Sequence, residues 1–181
     1  MPTVMHNRQW SIHSDYIHNW TDIQWYLSEK AGIPRNPTKF FDRFFTQQNQ
    51  WGLSMYEQDW MCTEYDEVEE LQTNLTLADM WLAGMNHGAQ QANLSIQYCM
   101  PYPNDMLSTA SHSQVTNARA TGDYFHGAHQ WAIGGTSLFY MALGVLPFKD
   151  GFYSSTQLQI GGQTIGPGMY SSHILVLTNH H

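Results

Sequence analysis

The chain has 181 residues, the length of one domain, which is enough to bury a sizeable hydrophobic core. Hydrophobic residues make up 42% and aromatic residues 14%, a composition typical of globular rather than disordered proteins. The formal charge of −8, with only seven Lys and Arg residues, makes nucleic acids and anionic membranes poor partners. An acidic chain rich in Trp and Tyr instead suits a sugar, because aromatic faces stack on its C–H faces.

The first part of the chain predicts one strand and two helices. A strand over residues 3–8 precedes a helix from about Thr21 to Lys30, which Gly32 and Pro34 would end. Asn36-Pro37 predicts an N-cap followed by proline at the first position of a second helix. This helix carries a stripe of phenylalanines predicted to face the core: Phe40, Phe41, Phe44 and Phe45.

The middle of the chain predicts a strand, a loop and a long helix. The strand covers residues 52–58 and ends at Asp59. The acidic stretch 64–70 is expected to be a solvated loop. Thr76-Leu-Ala-Asp79 is a variant capping box with Asp in place of Glu, and it predicts a helix to about Gln91.

The last part of the chain predicts four more strands. They cover residues 94–100, 114–120, 145–149 and 173–178, and residues 131–143 predict a helix between two of them. The longest apolar stretch, residues 132–148, is broken by glycines and polar residues and is not expected to span a membrane.

Six strands separated by helices indicate an α/β protein built from parallel βαβ units. A complete (β/α)₈ TIM barrel needs roughly 250 residues, so residues 1–181 predict a single catalytic barrel domain that lacks about two units. The doubly wound open sheet is the structural alternative. The barrel is preferred because no G-x-G-x-x-G motif or P-loop follows any predicted strand.

Acidic residues follow several of these strands, at the edge where a barrel collects its catalytic side chains. Asp59 stands in the sequence Tyr56-Glu57-Gln58-Asp59-Trp60, and Asp123 follows the strand over residues 114–120. Two carboxyl groups are what glycoside hydrolysis requires, one ionised and one protonated. A lone aspartate after a strand is more often the N-cap of the next helix. The polar cluster beside Trp60 favours a site at Asp59, because burying such groups unused is costly.

Several strand ends together resemble the raffinose synthase and α-galactosidase clan of glycoside hydrolases. The similar segments are Ile96 to Met100 with its Cys-Met end, Asp105 to Leu107, Ala118 to Phe125, Tyr56 to Trp60, and Lys149 to Tyr153. The similarity is distributed over about residues 50–155. The sequence departs from the clan at Glu57, where a lysine is common, and it lacks the first two strands.

The resemblance implies a retaining glycoside hydrolase or transglycosidase that acts on α-glycosides and needs no cofactor or metal. Asp59 would be the nucleophile on barrel strand four, and Asp123 the acid/base on strand six. Their carboxyl groups would then lie about 5–5.5 Å apart. Trp10 and Trp60 are expected to stack on the sugar, and Asp15 and Arg119 to bind its hydroxyls. The rest of the predicted substrate site is Glu57, Tyr98, Cys99, Lys149 and Asp150.

Two other functions remain open on the sequence. The missing strands and Glu57 favour a non-catalytic carbohydrate-binding or degenerate barrel. The ten histidines suggest a second hypothesis, a metal-dependent hydrolase, in which Asp123, His126 and His129 at a spacing of three would bind the metal. No H-E-x-x-H or Cys-x-x-Cys motif is present to support it. Three Asn-x-Ser/Thr triplets, at Asn19, Asn74 and Asn93, are formal N-glycosylation acceptors and favour a secreted or lumenal location. Nothing in the sequence predicts the oligomeric state.

Overall fold

The computed structural model of the protein describes residues 3–121 and 133–149. The chain comprises two compact units, Met1–Thr116 and Asn117–His181. The strands are β1 (Thr3–Asn7), β2 (Trp25–Leu27), β3 (Gly32–Pro34), β4 (Leu53–Gln58), β5 (Ser95–Tyr98), β6 (Val115–Arg119) and β7 (Leu146–Phe148). The helices are α1 (Asp15–Asn19), α2 (Pro37–Asn49), α3 (Met61–Glu67), α4 (Glu69–Thr73), α5 (Leu75–Gln91), α6 (Pro103–Ser108) and α7 (Ile133–Ala142).

Five strands form a parallel sheet in the order β1-β4-β5-β6-β7, flanked by helices. These are five of the six predicted strands, so the prediction of an α/β protein with a parallel sheet is confirmed. Each strand lies beside the strand that precedes it in the chain, apart from the small β2–β3 hairpin. A doubly wound sheet reverses its order at a switch point, whereas this order advances in one direction. The sixth predicted strand, residues 173–178, lies outside the described residues, and closure into a barrel stays a prediction.

In the first unit, α2 and α5 pack closely against each other, and two glycines on α5 make this possible. A Cβ atom added at Gly84 would lie 2.6 Å from the Thr38 nitrogen, and one added at Gly88 would lie 2.7 Å from the Phe41 carbonyl carbon. Real Cβ atoms do not approach backbone atoms so closely. The two glycines therefore set the distance between the helices, and a larger residue would force them apart.

The core of this unit is aromatic, as the phenylalanine stripe predicts. Phe40, Phe41 and Phe45 are fully buried and Phe44 is nearly so. Three of these rings, those of Phe41, Phe44 and Phe45, lie 5.0–6.4 Å from the ring of Tyr56 on β4. Helix α2 therefore covers the face of the sheet that carries Tyr56, and the sheet is anchored by edge-on ring contacts.

The predicted helix over residues 21–30 is wrong. That segment instead enters the antiparallel β2–β3 hairpin, whose loop is closed by Ser28. The Ser28 hydroxyl accepts hydrogen bonds from the backbone N–H groups of Lys30 and Ala31. Serine closes such turns well because its hydroxyl competes with helical hydrogen bonds. Gly32, expected to stop a helix, starts β3 where a Cβ atom would meet Leu27 at 2.7 Å.

The acidic stretch 64–70 is not a solvated loop. It contributes to α3 and α4, and Glu64 has no exposed surface. The start of the following helix also differs in detail, because the N-cap of α5 is Asn74 rather than Thr76. The Asn74 side chain accepts hydrogen bonds from the N–H groups of Thr76 and Leu77. Asparagine is as good a cap as threonine, so the sequence left the choice between them open.

The described part of the second unit contains most of β6, β7 and α7. Strands β6 and β7 pair in parallel, with Arg119 opposite Phe148, and the Ala120 N–H donates to the Phe148 carbonyl at 3.0 Å. The predicted helix over residues 131–143 is confirmed over Ile133–Ala142. Within residues 3–121 and 133–149, none of the helices is both long and apolar enough to cross a membrane.

Candidate active site

Asp59 lies directly after β4, at the carboxyl end of the parallel sheet. Its backbone N–H donates to the Asn7 carbonyl at the end of β1 at 2.8 Å. The next residue, Trp60, adopts a left-handed backbone conformation with φ of 55° and is the N-cap of α3. This conformation is uncommon for a bulky residue, and it turns the chain abruptly just after the carboxylate.

The carboxylate of Asp59 is held at both oxygens. Oδ2 lies 2.9 Å from Nε2 of His6 on β1, and Oδ1 accepts a hydrogen bond from the Trp60 N–H at 2.7 Å. The Cys99 thiol after β5 supplies a further side-chain hydrogen bond. The Asp59 side chain is 11% exposed, whereas that of His6 is 46% exposed. The carboxylate is therefore oriented by neighbouring strand ends and still reaches the surface.

The environment of Asp59 favours its ionised form. Burial alone would raise the pKa of this carboxyl group, since a charge loses solvation there. The hydrogen bonds from Cys99, His6 and the Trp60 N–H outweigh burial, and together they hold the pKa of Asp59 below its ordinary value. A carboxylate that stays ionised can act as a nucleophile or can orient a bound hydroxyl.

One face of the sheet presents polar side chains beside Asp59. His6, Glu57 and Gln97 occupy matching register positions on β1, β4 and β5, so their side chains lie on the same face. Glu57 and Gln97 are half-buried and His6 is exposed. Tyr56 and Gln58 alternate onto the opposite face, which α2 covers. Glu57, predicted to bind substrate, therefore lies on the more accessible polar face next to the candidate nucleophile.

Trp60 is half-buried and carries an arginine on its indole ring. The Arg8 guanidinium carbon lies 4.9 Å from the ring centroid. Arg8 itself is exposed and follows β1. Arg8 therefore covers one face of the indole ring, and its guanidinium is attracted to that face by a cation–π interaction.

Two predicted sugar contacts do not fit the environment in which their side chains lie. Trp10 is 3% exposed and its ring contacts those of Tyr16, Phe40 and Phe44 at 4.8–5.4 Å, so protein rings occupy its faces. Tyr98 is fully buried, and burial raises its pKa. Large aromatic side chains contribute most to core packing, and at both positions that role prevails.

The remaining predicted residues lie in varied settings. Asp15 is exposed at the start of α1, where its carboxylate accepts a 3.4 Å hydrogen bond from Asn19. Arg119 is 6% exposed at the end of β6, and its Nε donates to the Thr121 carbonyl at 2.8 Å. Lys149 is half-buried directly after β7. Asp123 and Asp150 lie outside the described residues, as do His126 and His129.

Two further carboxyl groups are buried in the first unit, and neither was predicted as a site residue. Burial raises the pKa of Glu64 on α3 well above its ordinary value, and the nearby Glu67 adds to the rise. Burial likewise raises the pKa of Asp105 to about 6, although the Tyr102 N–H donates to it at 2.7 Å. Within the described residues, no group of three His, Cys, Asp or Glu side chains could hold a metal ion.

Sequence reasoning missed His6, Gln58 and Arg8 as parts of this site. His6 sits inside a predicted strand, but only the pairing of β1 with β4 places it beside Asp59. Arg8 ends the same strand prediction, and its contact with Trp60 depends on the turn after β4. The sequence does carry one usable signal: His6 and Arg8 are two positions apart in a predicted strand, so their side chains are expected on the same face of the sheet.

Comparisons with family models, with curated proteins and with solved structures each found no match.

Proposed function

We propose that the protein is a retaining glycoside hydrolase or transglycosidase for α-glycosides, with Asp59 as nucleophile and Asp123 as acid/base. The observation that carries the proposal is the position of the Asp59 carboxylate at the carboxyl end of a parallel strand, where His6 Nε2 and the Trp60 N–H hold its two oxygens at 2.9 and 2.7 Å. An oriented carboxylate at a strand end matches the nucleophile that a double-displacement reaction needs. The proposed barrel is supported by the single direction of the strand order.

In the proposed reaction, Asp59 attacks the anomeric carbon and the bond to the leaving oxygen breaks. Asp123 gives its proton to that oxygen, and a glycosyl ester of Asp59 forms. Asp123 then removes a proton from water or from an acceptor sugar hydroxyl, whose oxygen attacks the anomeric carbon and releases Asp59. Two inversions leave the α configuration unchanged. His6 and the Trp60 N–H orient the two carboxylate oxygens of Asp59 before the attack.

Azide rescue of two variants tests these roles separately. With an activated aryl α-glycoside, Asp59→Ala plus azide should yield the β-glycosyl azide, because azide replaces the nucleophile in a single inversion. Asp123→Ala plus azide should yield the α-glycosyl azide, because azide attacks the glycosyl ester. Asp79→Ala removes an exposed carboxylate on α5 and serves as the control. Full turnover by either active-site variant without azide would contradict the proposal.

A second function, carbohydrate binding without turnover, is compatible with the same carboxylate. Both carboxylate oxygens of Asp59 already have hydrogen-bond partners, which suits a group that orients hydroxyls as well as one that attacks. Titration calorimetry with oligosaccharides separates the two functions. Binding by a wild-type protein that turns over no activated α-glycoside would favour the lectin-like function.

A further inference from the structure

Behind Asp59, the side chain of Gln58 ties together the ends of β1 and β4. Its Nε2 donates to the Arg8 carbonyl at 2.6 Å and to the Asp59 carbonyl at 3.0 Å. Its Oε1 accepts a hydrogen bond from the Tyr56 hydroxyl at 2.7 Å. Gln58 and Tyr56 have no exposed surface. The two N–H groups of the amide and its oxygen are thus all engaged by named partners.

This network holds the backbone on both sides of the candidate nucleophile. The Asp59 N–H donates to Asn7, while the Asp59 carbonyl accepts from Gln58. The Arg8 carbonyl also accepts from the Asn7 side chain at 2.9 Å, so the exit of β1 is fixed at the same point. Because His6 lies on β1 and Asp59 follows β4, the separation of His6 from the carboxylate depends on this junction.

We propose that Gln58 is a positioning residue, whose buried amide locks the end of β1 to the end of β4 and so aims the Asp59 carboxylate between His6 and the Trp60 N–H. The same link holds the Arg8 backbone, and so places its guanidinium over Trp60. The Tyr56 hydroxyl fixes which way the amide points, since it donates to Oε1 and leaves both N–H groups to the two carbonyls. The effect of Gln58 on turnover rests on the proposed function, whereas its effect on the Asp59 carboxylate does not.

The chemistry of the position explains why an amide is needed. Both backbone partners are carbonyl oxygens, which only a donor can satisfy, while Tyr56 supplies a hydroxyl donor that needs an acceptor. Leucine would leave the Arg8 and Asp59 carbonyls with one partner fewer each, and the Tyr56 hydroxyl without its acceptor. An ionised glutamate would place a negative charge against both of them, and a protonated glutamate could donate to only one.

Three variants and one control test the inference: Gln58→Leu, Gln58→Glu and Tyr56→Phe, with Gln48→Leu as the control. Gln48 is another buried glutamine, 4% exposed on α2, and its loss reports the general cost of removing a buried amide. The first measurement is the pKa of Asp59, followed through its carboxyl carbon by NMR and assigned with Asp59→Asn. In Gln58→Leu this pKa should rise to its ordinary value or above, because burial remains while the oriented hydrogen bonds are lost.

Tyr56→Phe should shift the pKa of Asp59 in the same direction by a smaller amount, and Gln48→Leu should leave it unchanged. The turnover of Gln58→Glu should approach that of the wild type at low pH, where the glutamic acid is protonated and can donate a hydrogen bond. This turnover should fall relative to wild type as pH rises and the glutamate ionises. An unchanged Asp59 pKa in folded Gln58→Leu would overturn the inference. Should that variant fail to fold, an unchanged pKa in Tyr56→Phe would overturn it equally.

Turnover provides a second readout that separates this inference from the proposed function. A misplacement of about 1 Å can lower turnover by about 100-fold, so Gln58→Leu should lose kcat on that order with KM nearly unchanged. A wild-type protein without glycosidase activity would contradict the proposed function alone, because the pKa of Asp59 would still decide the role of Gln58. Loss of kcat with an unchanged Asp59 pKa would reject Gln58 as the residue that aims the carboxylate.

Discussion

Replacing Asp105 by asparagine should raise the free energy of unfolding relative to that of the wild type, and this gain should be larger at neutral pH than at acid pH. Asp105 lies in the first turn of α6 and is 2% exposed. Its Oδ2 accepts a hydrogen bond from the Tyr102 N–H, which the oxygen of an asparagine side chain can also accept. The substitution therefore removes the ionisable group while keeping the shape and the hydrogen bond from the Tyr102 N–H; the weaker 3.3 Å hydrogen bond from Asn104 to Oδ1 is lost.

The size of the effect follows from the pKa of Asp105. Burial raises this pKa from 3.8 to about 6, so the folded protein binds the proton more tightly than the unfolded chain. Asp105 therefore contributes stability that is fully present below about pH 3.8 and lost as pH rises through about 6. A shift of about two pKa units, at about 1.4 kcal/mol each, corresponds to about 3 kcal/mol.

Urea unfolding of both proteins between about pH 3.5 and pH 7.5 measures this difference. The free energy of unfolding of Asp105→Asn should gain about 3 kcal/mol on that of the wild type across this range, with most of the gain between about pH 4 and pH 6. Asp79→Asn controls for the removal of an exposed carboxylate. A difference between Asp105→Asn and wild type that stays constant with pH would refute the reasoning that burial raises this pKa.

Three further predictions address packing, a second buried acid and the sugar surface. Gly88→Ala should destabilise the protein by about 1–3 kcal/mol, because the added methyl meets the Phe41 backbone. Gly135→Ala, at an exposed position on α7 where an added Cβ has no atom of the described residues within 4 Å, should be stabilising by about 0.5–1 kcal/mol, and thermal unfolding compares the two variants. Glu64→Gln should gain stability over wild type as pH rises above about 4.5, by about 1.4 kcal/mol for each pH unit over which folded Glu64 stays protonated; a pH-independent difference in urea unfolding would contradict this. Trp60→Ala should raise KM for α-glycosides about tenfold, equivalent to about 1.4 kcal/mol of lost stacking, with kcat affected less; an unchanged KM in steady-state kinetics would exclude Trp60 from the sugar surface.

Strands and helices with strong local signals could be predicted from the sequence. The strand before Asp59 is observed over Leu53–Gln58, and Asn36-Pro37 marks the start of α2, where the Asn36 side chain accepts from the Lys39 N–H. Short hairpins are harder, because three-residue strands carry no periodicity. The β2–β3 hairpin is fixed instead by the hydrogen bonds of Ser28 and by the lack of room for a side chain at Gly32. Both depend on contacts that form only in the folded protein.

The candidate site was predictable only in part. Asp59 could be found because it follows a strand, and that is a local property of the chain. Its partners His6 and Cys99 come from two other strands, and their approach depends on the register of the sheet. Register is set by packing on the covered face, so no local pattern specifies it. Glu64 shows the reverse error, since an acidic run favours solvent although this one member is buried.

Trapping of a glycosyl-enzyme ester tests the central claim most directly. A 5-fluoro-α-glycosyl fluoride forms the ester readily and slows its hydrolysis, so the intermediate of a retaining enzyme accumulates. Mass spectrometry of the intact protein and then of its peptides should find one sugar, attached to Asp59. The Asp59→Asn variant should carry none. A sugar ester on another carboxylate, or turnover of the reagent with no labelled enzyme at any time, would contradict the assignment of Asp59 as the nucleophile.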